Sequence, residues 1–245
     1  MNAAKTIKNQ IIVQNDSGYR YSIEPFLLAY FARLFPGQEV LDIGTGCGII
    51  ALLMAYREPG LKITGIEIQD SAAASAETNV AKNQMKIKII HGDFLDMALP
   101  EKPFDLIVSN PPYRKINSGR TNPDEGKAIA RHELKLSLPT LLDQAIPALK
   151  KGGHINLAYP PLRLQETLRE LENRKLFPSR IRFIHGNKNA EAKIFLVEAI
   201  KEKKTDLMVD SPLYVYNRDG SYSKKMQEIY DSFNCADGTH HVREK

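Results

Sequence analysis

Apolar and polar positions along the chain switch repeatedly between a strand period and a helix period. Short apolar runs at Glu39 to Ile43, Lys62 to Ile66, Ile87 to His91, Phe104 to Ser109 and Gly153 to Ala158 have the length of buried strands. Helix signals lie between them: Ile49 to Arg57, stopped by Glu58-Pro59-Gly60, then the alanine-rich Ser71 to Asn83, then about Glu133 to Leu149. Pro139 and Pro147 should bend or interrupt the last of these. Leu162 to Lys175 is a further amphipathic helix, and Arg180 to Ile184 and Ala192 to Ile200 form a closing strand pair. Only the Gly186-Asn187 turn region separates that pair, too little for a crossover helix, so the final strand should run antiparallel. The pattern predicts an α/β, doubly wound, mostly parallel seven-stranded sheet with an antiparallel last strand. The tail after Ser211 reads as a short extended piece, a helix near Ser223 to Phe233 and a frayed end. With no internal repeat or linker, a single domain is expected: an N-terminal cap segment (1–38), a core (39–201) and a C-terminal extension (202–245).

Composition narrows the class. In 245 residues, 42% are apolar and 26% charged, as in ordinary soluble globular proteins. Cys47 and Cys235 allow at most one disulfide and are too few for a structural zinc site, so no metal is expected. The longest apolar run, Ile49 to Tyr56, falls far short of the ~20 residues of a membrane helix. The N-terminus has no signal-peptide core, so the expected location is cytoplasmic, away from the membrane. The net charge is +5, and Leu162 to Lys204 alone holds eleven basic residues against six acidic ones. A second basic region, Arg114 to Lys135, includes Arg114, Lys115, Arg120 and Arg131. Such stretches suit a polyanion, because each neutralised phosphate releases counterions; a solvated helix face is the plainer alternative.

Two loops carry the candidate chemistry. The first is Asp42-Ile43-Gly44-Thr45-Gly46-Cys47-Gly48, at a strand end just before a helix. Ligands of open α/β sheets bind at such carboxyl ends, where glycine allows positive φ and close backbone approach. The spacing differs from G-x-G-x-x-G, which disfavours a nicotinamide dehydrogenase. Glu67, about twenty residues on, ends the next strand, where a carboxylate can accept ribose hydroxyls. Asp93 and Phe94 follow the third strand and suit an adenine amino group and ring. The set resembles the S-adenosyl-L-methionine site of class I, Rossmann-like methyltransferases, which implies Asp42, Gly44, Gly46, Glu67, Asp93, Phe94 and Asn110 as cofactor-binding residues.

The second loop is Asn110-Pro111-Pro112-Tyr113, directly after the fourth strand. Its two prolines make a stiff, extended exit that fixes the Asn110 amide at the ligand edge. An exocyclic amine gives its lone pair to the ring and is a poor nucleophile. The Asn110 side-chain oxygen and the Pro111 carbonyl could each accept one of its N–H bonds, and Tyr113 could stack on the base. The loop resembles the Asn/Asp-Pro-Pro-aromatic motif of amino methyltransferases acting on adenine N6, guanine N2 or protein glutamine.

Longer stretches narrow the family. NDSGYRYSIEPFLLA, GIEIQDSAAASAETNVAKN, NPPYRKINSGRTNPDEGKAIARHE and SPLYVYNRDGSYSKKMQEIYDSF resemble the bacterial tRNA adenine-N6 methyltransferases that modify adenosine 37 of valine tRNA. At position 24 this chain has Glu24 where that family has Asp. The resemblance implies that Arg20 and Tyr21 approach the methionine end of the cofactor. It further implies that Asn110 to Tyr113 hold the target base, and that Arg114, Lys115, Arg120 and Arg131 meet tRNA phosphates near a flipped-out base. A release-factor glutamine methyltransferase, a guanine-N2 RNA methyltransferase and a non-catalytic RNA-binding subunit are the alternatives. The first would need a helical substrate domain, for which about forty residues before Asp42 are too few.

Overall fold

The computed structural model describes residues 4–7, 10–13, 23–97, 103–111 and 137–233. Five strands and three helices alternate first. After a hairpin of β1 (Ala4–Ile7) and β2 (Gln10–Val13) come α1 (Glu24–Phe31), β3 (Glu39–Ile43), α2 (Ile49–Arg57), β4 (Lys62–Glu67), α3 (Asp70–Lys82) and β5 (Ile87–His91). Then follow β6 (Phe104–Ser109), α4 (Leu138–Ala148), β7 (Leu149–Tyr159), α5 (Leu164–Asn173), β8 (Leu176–His185) and β9 (Ala192–Lys201). Two-residue strands β10 (Met208–Val209) and β11 (Leu213–Tyr214) precede α6 (Lys224–Ser232).

The seven long strands lie in the order β5-β4-β3-β6-β7-β9-β8, all parallel except β9, which runs antiparallel to both neighbours. The chain leaves β3 toward β4 on one side and returns to β6 on the other. The order therefore reverses between β3 and β6, and a crevice opens at their carboxyl ends. Alternate strand residues face opposite layers: Val40, Leu106 and Val108 pack toward α1, α2 and α6, whereas Leu41, Ile43 and Ile107 pack toward α4 and α5.

The expected sheet is thus present, with three adjustments. The extended piece expected after Ser211 is β11, and an unexpected β10 precedes it; both add parallel pairings along the outer edge of β8. The fourth helix is not bent at Pro139: Ser137 caps it, accepting from Thr140 N, and Pro139 sits in the first turn, where its missing N–H costs no helical bond. Residues 133–136 of that expected helix lie outside the described residues. β8 starts at Leu176, four residues earlier than expected, because a register shift between Pro178 and Arg180 lets the proline lie within the strand.

Helix α1 is buried nearly all round, by Phe26, Leu27, Leu28, Ala29 and Phe31. Its C-terminal carbonyls need donors in an apolar setting. Arg57 donates to the carbonyls of Ala29, Tyr30 and Ala32, and Arg180 donates to that of Phe31.

Candidate active site

At the end of β3 the chain turns sharply, and Gly44 and Gly46 adopt φ of +70° and +58°. A side chain there would be strained, although no heavy atom lies within 4 Å of where either Cβ would stand. The loop is tied to β4, with Gly44 N and Thr45 N both donating to Ile66 O, at 2.9 and 3.0 Å. Glu67, next in β4, closes the cradle. Its Oε2 accepts from Gly46 N at 2.8 Å and its Oε1 from Gln69 N at 2.9 Å. A carboxylate has about four acceptor sites, so Glu67 can still take hydroxyls beyond these two bonds. The third loop joins through Gly92 N, which donates to Glu67 O at 2.9 Å and draws Asp93 alongside. Asp93 Oδ1 accepts from Leu95 N at 3.0 Å. Phe94 itself is buried in the α4-side core, so its ring belongs mainly to packing.

Asp42 lies beneath the loop and is fully buried. Its Oδ2 accepts from Thr45 Oγ1 at 2.6 Å, whereas Oδ1 has no hydrogen-bond partner within normal distance and angle among the described residues. Desolvation pushes its carboxyl up from 3.8 to about 7, over the opposing bonds from Thr45 and the Ala51 backbone, and the nearby Glu67 adds to the rise. Asp42 therefore holds the loop from below through Thr45. Three residues not anticipated from sequence complete this support. Thr45 forms the tie to Asp42. Gly65 makes room for it, since a Cβ there would stand 2.9 Å from Thr45 Cγ2. Asn79 of α3 donates Nδ2 to Cys47 O at 2.9 Å. Gly65 and Asn79 have no sequence signal because they act through long-range contacts, whereas Thr45 reaches Asp42 only three residues away, within the glycine loop itself.

Across the switch point, Ser109 Oγ donates to Ile43 O at 2.9 Å and pins the end of β6 to the end of β3. Asn110 follows at once. Among the described residues its Oδ1 is buried without a hydrogen-bond partner, and Pro111 behind it is buried. An orphaned buried acceptor costs roughly 1–3 kcal/mol, so it marks a place where a donor belongs. The structure thus brings Gly44, Gly46, Glu67, Asp93, Asn110 and Pro111 to one rim. Arg20, Tyr21, Pro112, Tyr113, Arg114, Lys115, Arg120 and Arg131 lie outside the described residues, and Glu24 opens α1. Among the described residues there is no cluster of metal-binding side chains, and no helix is long and apolar enough to cross a membrane.

Part of the basic 162–204 stretch is engaged in the fold. Arg163 pairs with Glu166 at 2.8 Å and lies over the Tyr159 ring, and Arg174 pairs with Asp143 and Glu170 at 2.7 and 2.6 Å. Lys201 Nζ caps the carbonyls of Ile146 and Leu149, each at 2.7 Å. With Arg180 on α1, four of the eleven cations serve structure, so charge in this stretch overstates the surface open to a polyanion.

Comparison with known proteins agrees with this geometry. Residues 24–173 match the family model described as methyltransferase small domain. Among solved structures, a predicted O-methyltransferase from Agrobacterium tumefaciens superposes with a TM-score of 0.66 at 20% identity, covering 85% of this chain and 96% of its own. A class I S-adenosylmethionine-dependent methyltransferase structure from Listeria monocytogenes gives 0.58 at 15% identity, over 94% of this chain and 74% of its own. The fold is therefore that of class I methyltransferases. A Porphyromonas gingivalis protein named tRNA1(Val) (adenine(37)-N6)-methyltransferase is 35% identical over 91% of this chain and 91% of its own length. One of the same name from a Flavobacteriaceae bacterium is 30% identical over 85% of this chain and 87% of its own. The chain belongs to the methyltransferase small domain family, and within it to the family of the tRNA1(Val) (adenine(37)-N6)-methyltransferases.

Proposed function

We propose that this chain transfers a methyl group from S-adenosyl-L-methionine to the exocyclic N6 of an adenosine in tRNA, at position 37 of valine tRNA, and that it does so in the cytoplasm as a single methyltransferase domain. The observation that carries the reading is the buried Oδ1 of Asn110, without a partner among the described residues and placed at the switch point beside the glycine cradle. The open space at Gly44 and Gly46, together with the remaining acceptor sites of Glu67 and Asp93, fits a nucleoside-bearing cofactor. That cofactor supplies an electrophilic methyl on a sulfonium.

The chain's own residues supply orientation. Asn110 Oδ1 and the Pro111 carbonyl accept the two N–H bonds of the adenine amine and pull it away from conjugation with the ring. Its lone pair is thereby directed at the methyl carbon. As the new N–C bond forms, the C–S bond breaks, and the surplus amine proton leaves to water. Tyr113 stacks on the base, Arg20 and Tyr21 reach the methionine end, and Arg114, Lys115, Arg120 and Arg131 meet flanking phosphates. Most of the acceleration then comes from positioning.

Removing one such acceptor typically lowers kcat by ~10²–10³. Asn110→Ala should therefore lose that much methyl transfer to a valine-tRNA transcript while its melting temperature does not fall. A variant with a wild-type rate would remove Asn110 from the reaction.

A further inference from the structure

The rim that carries Asn110 continues beyond the crevice. Strands β6, β7 and β8 point the same way, since β7 and β8 are both antiparallel to β9. The end of β8 therefore projects on the same side, three strand spacings across from that of β6 (about 14 Å at ~4.8 Å each) and, since Ser109 is level with Ile181 through Leu157 and Val197, four residues further along, or about 13 Å at ~3.3 Å each. The chain after β11 is fastened there: Val215 N donates to His185 O at 2.9 Å and Tyr216 N to Gly186 O at 2.8 Å. It then folds back in a tight turn from Tyr216 to Tyr222, closed by an antiparallel bridge between those two residues. Asn217 Nδ2 donates to Ser221 Oγ and to Tyr222 O, both at 3.0 Å, and Asp219 Oδ1 accepts from Ser221 N and Oγ at 2.9 and 2.6 Å.

What this rigid turn displays is unusual for a fold surface. The rings of Tyr216 and Tyr222 stack with centroids 5.4 Å apart and planes 16° from parallel, yet the residues are 43% and 44% exposed. Tyr222 rests on Tyr230 behind it, at 5.2 Å, which leaves Tyr216 on the outside of the stack. Arg218 at the turn, Lys188 in the loop after β8 and Lys193 at the start of β9 are exposed and make no ion pair among the described residues. The acid in the turn, Asp219, is already engaged by Ser221. Leu162, 93% exposed just past the end of β7, lies on the rim between Asn110 and the turn.

We propose that the Tyr216–Tyr222 turn is a stacking platform for an unpaired nucleotide of the tRNA whose adenosine enters at Asn110, with Arg218 and Lys188 on the adjoining phosphates. Preformed aromatic pairs flanked by unpaired cations suit single-stranded nucleic acid, because any base offers a π face and its backbone needs cations. Lys188 thus belongs to the part of the 162–204 charge that is not used internally, and Arg218 adds to it from the tail. This inference rests on the tRNA-methylation reading and adds the surface that positions the RNA.

The test is steady-state methyl transfer to a valine-tRNA transcript by wild type, Tyr216→Ala, Tyr216→Phe and Arg218→Ala. Loss of one stacked base should raise the KM for tRNA about ten-fold in Tyr216→Ala. Its kcat, its S-adenosylmethionine affinity and its melting temperature should stay unchanged. Tyr216→Phe, which keeps the ring, should behave as wild type. Arg218→Ala should lower the salt slope of tRNA binding by about one. An active wild type with an unchanged KM in Tyr216→Ala overturns the platform and leaves the methylation reading standing. A wild type that methylates no tRNA, yet binds it about ten-fold more tightly than Tyr216→Ala does, overturns the methylation reading and supports the platform.

Discussion

Replacing Asp42 by Asn tests the account of how the glycine loop is supported. Asp42 is fully buried, and its carboxyl is raised from 3.8 to about 7, mainly by desolvation. Between those two values the folded chain binds a proton that the unfolded chain does not, so stability falls as pH rises and levels off above the folded value. The interval from 3.8 to about 7 corresponds to roughly 4 kcal/mol, of which about 3 kcal/mol falls between pH 5 and pH 8. For a chain of this size, each kcal/mol moves Tm by ~2–4 °C, so the carboxyl should lower Tm by about 6–12 °C across that range. In Asp42→Asn the amide oxygen can keep the Thr45 bond, and the NH2 takes the position of Oδ1. Thermal melts of both proteins from pH 5 to pH 8 isolate this group in their difference. The variant should gain on the wild type steadily up to about pH 7, and its S-adenosylmethionine affinity should stay within a few-fold. Parallel Tm profiles would refute the raised carboxyl, and a large affinity loss would mean that Asp42 touches the cofactor after all.

Other parts of the structure make their own demands. Gly65→Ala would place a methyl 2.9 Å from Thr45 Cγ2 and displace the loop, so S-adenosylmethionine affinity should drop, with about 1–3 kcal/mol lost from stability in denaturant melts. Glu67→Gln turns one of two backbone acceptors into a donor facing an N–H, and calorimetry should show cofactor affinity reduced by about ten-fold or more. Arg57→Ala removes the donor shared by the α1 carbonyls of Ala29, Tyr30 and Ala32; a loss of about 2 kcal/mol, or roughly 4–8 °C in Tm, is expected without change in kcat.

Elements whose order is set by local pattern were legible in the chain. The glycine loop and α2 follow from an apolar run, a Gly-rich turn and a second run, and the antiparallel β9 follows from the short connection after β8. Helix α1 was not legible, because it is apolar on nearly every side and so lacks an amphipathic period, and its N-cap, Ile23, makes no side-chain cap. The early start of β8 was hidden by Pro178, which reads as a strand breaker until a register shift accommodates it. In the site, residue types at strand ends pointed to Gly44, Glu67 and Asn110. They did not show that Asp42 and Phe94 of the same loops are buried, because burial depends on what packs from elsewhere in the sequence.

The central claim is that Asn110 presents an adenine amine of tRNA for methylation. The most direct test is nucleoside mass spectrometry of a valine-tRNA transcript incubated with the protein and S-adenosylmethionine, beside a transcript carrying guanosine at position 37 and a release-factor protein. The account predicts N6-methyladenosine in the first transcript only, absent when Asn110→Ala replaces the wild type. Methyl label in guanosine or in the release factor would contradict it.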